Sequence, residues 1–360
     1  MKEQDNKHRD TTRLVHVREV PLGGGAPVAV QSMNMTDTRD IPATRAQIAA
    51  LADCGCEIAR VAIPDLEAAL ALREICRDTP IPVVADIHFD YRLALESIRN
   101  GAHKIRINPG NIGDKDRVRE VALAAKEHGI PIRVGVNSGS LSQKMLDLHG
   151  GVNRQSMVES ALENIRMLED NGFEDIVVSL KASDPLLMIE SYRLLAGRTR
   201  YPLHLGVTEA GTPYEGSIRS AVGIGTLLAE GIGDTIRVSL TGQPEEEVRA
   251  AYAILKALRL RVRGPELISC PTCGRTQVDL IRVAAEVEQR LKSEKRNIRV
   301  AVMGCAVNGP GEAREADIGI AGGKGEFLLF SKGHILRKVN EKDAVEELFR
   351  EIDRMEENAR

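Results

Sequence analysis

The feature that most constrains the fold is an alternation of strand-like and helix-like segments that runs from about residue 27 to 242. Each strand candidate is short, rich in Val and Ile, and ends near Gly, Pro, Ser or Asn. The segments between them space apolar residues by three and four, as helices do. The eight predicted strands span residues 27–33, 58–64, 81–89, 104–110, 131–139, 175–183, 202–211 and 235–242.

Eight β-then-α units predict a TIM barrel, whose sites lie at the C-terminal ends of the strands. The alternative is an open doubly wound sheet, which usually carries a Gly-rich phosphate turn after its first strand. No GxGxxG turn follows the first strand, and residues 223–225 (Gly-Ile-Gly) are predicted to open a helix instead. The barrel is therefore favoured, with residues 12–25 as a small hairpin or strand at its floor.

The pattern changes after about residue 262. A CPTC turn at residues 270–273 precedes a predicted helix at roughly 276–293, followed by strand-like segments at 298–305, 316–323 and 326–339 and a charged terminal helix. We therefore predict an α/β chain of two domains, a barrel at residues 1–262 and a smaller α+β domain at 263–360.

The predicted barrel strands have one apolar and one polar face, because side chains two residues apart share a face. The apolar face must meet the helices, so the polar face points into the barrel. Unpaired buried cations cost several kcal/mol each, and Arg matches phosphate or carboxylate, so we predict a phosphate or diphosphate site at the top of the barrel. The inward-facing polar residues are Arg60, Asp86, His88, Lys104, Arg106, Asn108, Arg133, Asn137, Ser179, Lys181, Arg237 and Ser239.

Internal pairing is the alternative explanation for these cations, with Asp86 and Glu209 as counter-charges. Two acids cannot neutralise five or six bases, so an anion is favoured. Glu209 closes the seventh predicted strand and could serve as a proton donor if its pKa is raised. His88 and His204 are weaker candidates, because a lone His on a strand is often only a hydrogen-bonded core residue.

Three of the six cysteines have the spacing of metal ligands. Cys270 and Cys273 share one tight turn, and Cys305 opens a loop rich in Gly and Pro. Thiolates suit zinc or an iron–sulfur cluster, which usually takes four ligands. Either a fourth residue completes the ligand set or one iron is left for substrate. Glu312 is the nearest candidate for a fourth ligand, although the residues alone favour a solvated or helix-terminal acid at that position. The other cysteines are predicted to be inert core thiols: Cys54, Cys56 and Cys76.

Composition limits the partners. A formal net charge of −3 gives no reason to expect nucleic acid or an anionic membrane. Aromatic residues make up only 3% and Trp is absent, which argues against a base-stacking platform. The first residues are too polar for a signal peptide, and no run has the length of a membrane span. A cytoplasmic protein is expected.

Several motifs together resemble the bacterial 4-hydroxy-3-methylbut-2-en-1-yl diphosphate synthases, over roughly residues 12–350. The motifs are LVHVREVPLGGGAPVAVQSM, KIRINPGNIG, IRVGVNSGSL, HLGVTEAG, IRVSLTG, SCPTCGRT and GCAVNGPGE. The resemblance implies a TIM barrel followed by a domain similar to those of nitrite and sulfite reductases. It also implies a head-to-tail homodimer in which the cluster domain of one chain caps the barrel of its partner.

The resemblance implies an iron–sulfur oxidoreductase of the EC 1.17.7 type in the non-mevalonate isoprenoid pathway. The substrate would be 2-C-methyl-D-erythritol 2,4-cyclodiphosphate and the product (E)-4-hydroxy-3-methylbut-2-enyl diphosphate, with electrons from flavodoxin or ferredoxin. One 4Fe–4S cluster would sit on Cys270, Cys273 and Cys305, with Glu312 as fourth ligand. The resemblance assigns catalytic roles to two acids: Glu209, which matches the proton-relay acid of the family, and Glu312.

The resemblance also assigns substrate contacts. The positions that match its diphosphate-binding residues are Arg60, Arg106, Arg133, Lys181, Arg237 and Ser239. Asn108 and Asn137 lie beside them, Asp86, His88 and His204 match further polar positions, and Asn308 lies near the cluster.

Two other functions remain open from the residues alone. One is a zinc-stabilised barrel that binds a pterin or phosphate ligand without redox chemistry, and the other is an electron carrier with no substrate. Colour distinguishes the zinc alternative, because an anaerobically purified iron–sulfur protein is brown and a zinc protein is colourless. The inward arginines argue against a carrier.

Overall fold

The structure is a computed structural model that describes residues 8–113, 115–305, 311 and 313–357. The chain divides into two compact units, which meet between Arg261 and Val262 in the sequence. The first unit contains an eight-stranded parallel sheet, and the second unit contains a five-stranded mixed sheet. Each unit has its own apolar core.

The first unit is a (β/α)8 barrel, as predicted. A hairpin of β1 (Val15–Val17) and β2 (Val20–Leu22) precedes it. The barrel strands are β3 (Ala29–Met33), β4 (Ile58–Ala62), β5 (Val83–Asp86), β6 (Lys104–Ile107), β7 (Ile132–Asn137), β8 (Ile176–Lys181), β9 (His204–Leu205) and β10 (Thr235–Ile236). β10 pairs with β3, and a parallel bridge between Val178 and Leu203 joins the two ends of the sheet.

Helices follow the strands around the barrel. They are α1 (Ile41–Cys54), α2 (Leu66–Ile75), α3 (Tyr91–Arg99), α4 (Lys115–Glu127), α5 (Gln143–His149), α6 (Arg154–Glu169), α7 (Pro185–Ala196), α8 (Pro213–Ala229) and α9 (Pro244–Ala257). Several begin at an aspartate whose carboxylate accepts a backbone N–H of the first turn, as N-caps do; these are Asp40, Asp65, Asp90 and Asp184. Short 3₁₀ helices span His8–Asp10, Ser138–Ser140 and Glu341–Asp343.

The prediction that residues 223–225 open a helix is wrong, because they lie inside α8. A Cβ atom at Gly223 would stand 2.8 Å from Cγ2 of Val207. The glycine therefore lets α8 pack closely against the chain that follows β9. It has no phosphate-binding geometry of the kind that a Gly-rich turn after a strand provides.

The hairpin closes the floor of the barrel, as expected from residues 12–25. Val15, Val17 and Leu22 are buried in one apolar cluster with inner-face residues of four barrel strands. Those residues are Ala29, Ile58, Val84 and Val177. Several polar inner residues lie toward the opposite, C-terminal end of the strands, among them Asp86 and Asn137, whereas Lys104 and His204 are the first residues of β6 and β9.

The second unit has its sheet in the order β11 (Glu266–Ser269), β12 (Arg299–Met303), β13 (Ile318–Gly322), β14 (Glu326–Ser331) and β15 (His334–Asn340). β11, β12 and β13 are parallel to one another, and β14 is antiparallel to both of its neighbours, β13 and β15. The helices α10 (Leu280–Leu291) and α11 (Ala344–Glu357) pack on the sheet. The likeness to nitrite and sulfite reductases stays a prediction.

Residues 326–339, predicted as one strand, form a hairpin instead. The turn is at Lys332 and Gly333, whose φ angles are 48° and 79°. Two successive positive φ values match the turn type that suits two-residue hairpins. Across both units, no described helix combines the length and apolar character needed to cross a bilayer.

Candidate active site

Asp86, at the end of β5, is the centre of a buried ion-pair cluster inside the barrel. Its Oδ1 lies 3.3 Å from Nη1 of Arg106, and its Oδ2 lies 3.7 Å from Nε of Arg60. Nε2 of His88 lies 3.5 Å from the same Oδ2. Burial raises the pKa of Asp86, but the guanidinium of Arg60 and the other donors outweigh it and hold the pKa well below its usual value. The ionised carboxylate therefore orients both arginines.

A glycine on β7, the neighbour of β6, leaves room for the side chain of Arg106 in this cluster. A Cβ atom at Gly135, on β7, would stand 2.5 Å from Nε of Arg106. Arg60 is also held from the side of β3, because its Nη2 and Nε lie 2.7 Å and 3.2 Å from Sδ of Met33. Burial lowers the pKa of Arg60 to about 10, so it remains cationic at neutral pH.

Arg237 has a carboxylate partner that the sequence analysis missed. Its Nη2 and Nε lie 3.0 Å and 3.2 Å from the two carboxylate oxygens of Glu247, in the first turn of α9. Glu247 is 4% exposed. Glu209, the second counter-charge in the alternative of internal pairing, is exposed, and among the described residues it forms none of the ion pairs with these cations.

Other buried polar groups inside the barrel have no hydrogen-bond partner within the described part of the chain. They are the three guanidinium nitrogens of Arg133, Nζ of Lys104, Nε2 of His204 and both amide atoms of Gln31. Each of these residues is at most 1% exposed. An unpartnered buried donor costs about 1–3 kcal/mol, so such a group of donors is typical of a site that a ligand completes.

Burial and charge repulsion both disfavour the charged forms of the basic side chains inside the barrel. Burial, followed by the nearby cations, lowers the pKa of Lys104, of Lys181 and of His204 well below their usual values. The pKa of Arg133 is lowered for the same two reasons, with Arg60 as the strongest neighbour. An anion placed among these groups would reverse that effect by stabilising their charged forms.

A cavity of about 540 Å³ opens at the C-terminal ends of β5 to β9. Five predicted site residues line it, namely His88, Arg106, Asn108, Asn137 and Glu209. Asn108 is fixed by Nδ2 of Asn164, which donates to its Oδ1 at 3.1 Å. The other lining residues were not predicted from the sequence; they are Phe89, Asn111, Ser138, Gly139, Ser140, Ser183 and Thr208.

Glu209 stands at the mouth with a φ angle of 52°. Such a conformation is uncommon for residues other than Gly and is found most often at functional or tightly held turns. Arg60, Arg133, His204 and Arg237 do not line the cavity, although the first three are buried in the barrel interior with Asp86. Lys181 and Ser239 are half-buried.

The second unit brings two of the predicted cluster cysteines to one sheet edge. Cys270 directly follows β11 and Cys305 follows β12, and these strands are parallel neighbours. The backbone N–H of Gly304 donates to Sγ of Cys270 at 3.1 Å. Hydrogen bonds from the backbone N–H and the side chain of Arg275 lower the pKa of the exposed Cys273 thiol. This favours the thiolate, the form that binds metals.

The described residues do not include three or more His, Cys, Asp or Glu side chains grouped closely enough to hold a metal ion. Glu312 and Asn308, which the sequence analysis assigned to the cluster and its surroundings, lie outside the described residues. Of the remaining cysteines, burial raises the pKa of Cys56 and of Cys76 to about 12, in agreement with their prediction as inert thiols.

Family models match nearly the whole chain. Residues 12–252 match the model described as the GcpE TIM-barrel domain, and residues 266–354 match that of the GcpE protein C-terminal domain. The chain belongs to the GcpE family. Several members of the GcpE family are similar over nearly their full length. The protein of Clostridium perfringens is 59% identical over 346 residues, which cover 96% of this chain and 99% of the relative.

The protein of Ruminiclostridium cellulolyticum is 58% identical over 352 residues, covering 98% of this chain and all of the relative. Both GcpE relatives are named 4-hydroxy-3-methylbut-2-en-1-yl diphosphate synthase (flavodoxin). The resemblance seen in the motifs is thereby confirmed, and so is the predicted class of enzyme, an oxidoreductase of the EC 1.17.7 type.

A solved structure gives a likeness in fold alone. Dihydropteroate synthase from Stenotrophomonas maltophilia, with imidazole bound in its active site, aligns with a TM-score of 0.50 at 14% identity. The alignment covers 69% of this GcpE chain and 97% of the synthase. The share of the chain that it covers is close to that of the barrel unit.

Proposed function

We propose that this chain converts 2-C-methyl-D-erythritol 2,4-cyclodiphosphate to (E)-4-hydroxy-3-methylbut-2-enyl diphosphate, in the non-mevalonate isoprenoid pathway. Two electrons open the ring and remove one hydroxyl as water. Flavodoxin or ferredoxin supplies the electrons. The names of the GcpE relatives support the product and the flavodoxin donor.

The observation that carries this proposal is the excess of positive charge inside the barrel. Six cationic side chains face inward, and two carboxylates, Asp86 and Glu247, form ion pairs with them among the described residues. The cations are Arg60, Lys104, Arg106, Arg133, Lys181 and Arg237. A diphosphate provides the negative charge and the acceptor oxygens that the unpartnered donors lack.

The side chains divide the work by position. The diphosphate binds to Arg60, Arg106, Arg133, Lys181, Arg237 and Ser239, with Asn108 and Asn137 beside it. Asp86 and His88 hold the guanidinium of Arg106 in place, and His204 donates from the inner wall. Glu209, exposed at the mouth of the cavity, delivers the proton that the departing hydroxyl needs.

A 4Fe–4S cluster fits the chemistry of the donor set in the second unit. Cys270, Cys273 and Cys305 would hold it as thiolates, with Glu312 as the fourth ligand and Asn308 nearby. When bound, the cluster supplies the electrons for reductive C–O cleavage. The N–H of Gly304 that donates to Sγ of Cys270 supports a thiolate there, because such hydrogen bonds stabilise sulfur ligands.

A head-to-tail homodimer and a cytoplasmic location remain predictions from the resemblance and the composition. The dimer has a functional consequence, because the cluster unit of one chain would serve the barrel of its partner. Mixing an inactive barrel variant with an inactive cysteine variant should then restore activity in heterodimers. Absence of complementation in an exchanged mixture would contradict the dimer.

The proposed function is tested by anaerobic assay. Iron-loaded protein is incubated with the cyclodiphosphate and reduced flavodoxin, and the products are separated and identified. The expected product is the hydroxymethylbutenyl diphosphate, formed by the wild type and absent with Cys270→Ser. Protein that contains stoichiometric zinc and no iron or sulfide, or that leaves the cyclodiphosphate intact, would disprove the proposal.

A further inference from the structure

Glu247, in the first turn of α9, makes more polar contacts than a simple counter-charge requires. Its Oε1 accepts from Nη2 of Arg237 at 3.0 Å and from the backbone N–H of Leu240 at 3.1 Å. Its Oε2 accepts from Nε of Arg237 at 3.2 Å and from Oγ of Ser32 at 2.8 Å. An ionised carboxylate has about four acceptor positions, so this side chain is fully used.

These contacts lie where the first and last barrel strands meet. β3 and β10 are paired at two positions only, Thr235 with Ala29 and Ile236 with Val30. Ser32 and Arg237 follow those positions toward the C-terminal end. The carboxylate of Glu247 therefore joins β3, β10 and the loop after β10 at the point where backbone pairing between the two strands stops.

The pair also fixes the plane of one guanidinium. Nε and Nη2 of Arg237 both donate to Glu247, which leaves the two N–H groups of Nη1 and the second N–H of Nη2 available to a ligand. The side chain of Arg237 is 15% exposed, whereas Arg60 and Arg106 are about 4% exposed. A guanidinium held in one plane loses less conformational entropy when it binds an anion than one that rotates.

We propose that Glu247 is a positioning residue for the diphosphate, acting through Arg237. This inference rests on the proposed function, because it concerns the anion that Arg237 holds there. The net charge of Glu247 acts in the opposite direction, since a carboxylate close to an anion repels it. Replacement by Gln would mix the two effects, whereas Glu247→Asp keeps the charge and withdraws the carboxylate by one methylene.

The test is the affinity for inorganic pyrophosphate, measured by calorimetry on the purified full chain. Glu247→Asp is expected to weaken binding about tenfold, the usual effect of losing hydrogen bonds to a charged group. In the background of Arg237→Met, the same change is expected to alter the affinity by no more than about twofold. Wild-type affinity in Glu247→Asp, or additive effects in the double variant, would overturn the inference.

Ser32→Ala is the matched control. It removes one hydrogen bond from the same carboxylate oxygen and leaves the contacts of Arg237 in place. We expect a lower thermal midpoint with pyrophosphate affinity within about twofold of the wild type. An equal loss of affinity in Ser32→Ala and Glu247→Asp would show general loosening of the barrel and would also overturn the inference.

The measurement separates this inference from the proposed function. A wild type that binds pyrophosphate but leaves the cyclodiphosphate unchanged would disprove the function and leave the role of Glu247 standing. A wild type that does not bind pyrophosphate would overturn the role of Glu247.

Discussion

Oδ1 of Asp86 lies 3.3 Å from Nη1 of Arg106, and both side chains are about 4% exposed. This carboxylate also neutralises Arg60, so its removal leaves two guanidinium groups buried without a counter-charge. Asp86→Asn should lower the free energy of unfolding by about 3–5 kcal/mol at pH 7, the usual cost of breaking a buried pair. Urea unfolding without ligand measures it, and equal stability of the two proteins would contradict the pairing.

The same pair has a predictable pH dependence. The folded-state pKa of Asp86 is lowered well below its usual value, so its contribution is complete above the unfolded-state pKa of about 3.9. The contribution is lost as pH falls below that value toward the folded-state pKa. The stability difference between the wild type and Asp86→Asn should therefore shrink in acid, as unfolding curves at pH 7 and pH 3 would reveal.

Replacing Lys104 by Met should stabilise the protein. The ammonium is fully buried and without a partner in the described part of the chain, and Met has a similar length. The expected gain at pH 7 is about 1–3 kcal/mol, measured by urea unfolding without anions. Lys115→Met, on the exposed surface of α4, is the control and should change stability by less than about 0.5 kcal/mol.

The gain from Lys104→Met should depend on pH. The pKa of Lys104 is lowered in the folded state, whereas the unfolded chain keeps this proton to about pH 10.4. The unfolded state therefore binds more protons between those two values, and wild-type stability rises with pH there. The advantage of the variant should narrow toward pH 10. A variant less stable than the wild type at pH 7 would refute the prediction.

Asp234→Asn should remove a pH dependence of stability whose sign is opposite to those of Asp86 and Lys104. Asp234 is 2% exposed, and its carboxylate accepts from the backbone N–H of Leu203 and from Oγ1 of Thr12. Burial raises its pKa to about 6. The folded state then binds more protons than the unfolded state between about pH 4 and 6, so wild-type stability falls as pH rises through that window.

The measurement for Asp234 is urea unfolding at several pH values between 4 and 7.5. Over that range the variant should gain about 2–3 kcal/mol relative to the wild type. Parallel pH profiles of the two proteins would show that the Asp234 carboxyl does not titrate in this way.

Gly304→Ala should weaken iron binding by the second unit. Its N–H donates to Sγ of Cys270, and a Cβ atom there would stand 3.0 Å from Cδ2 of Leu280 and 3.1 Å from Oγ1 of Thr276. The added methyl group should push the turn that carries Cys270 away from the C-terminal end of β12 and break the hydrogen bond to Sγ of Cys270. Loss of a hydrogen bond to a metal ligand costs roughly tenfold in metal affinity. Iron per chain after anaerobic reconstitution is the readout.

Gly274→Ala is the control for that experiment. Gly274 lies on the same turn, but a Cβ atom there meets no heavy atom within 4 Å. It should bind iron as the wild type does. Equal iron content in all three proteins would argue against a cluster at this edge.

The polar inner face was predictable from sequence because the period of a strand leaves little choice. Once the apolar residues of β6 and β7 must meet helices, Arg106 and Arg133 have to point inward. The position of Glu209 was not predictable in this way. It follows β9 at a positive φ angle, which ends the alternation and places the residue at the mouth of the cavity.

Glu247 was missed because it lies in a run of three acids that opens a helix, which is typical of a solvated first turn. Helical spacing did contain the signal. Glu247 shares a helix face with Ala251 and Leu255, both buried, and that spacing indicates a buried side chain. The two-residue lengths of β9 and β10 could not be predicted, because they depend on pairing with strands far away in the sequence.

The hairpin at the barrel floor has a consequence for biosynthesis. Val15 and Leu22 leave the ribosome early, but Val177, which shares their cluster, is made much later. At usual rates of translation the interval is about ten seconds or longer. Throughout that time the apolar side of the hairpin lacks one of its packing partners, and partly covered apolar segments of this kind are what chaperones bind.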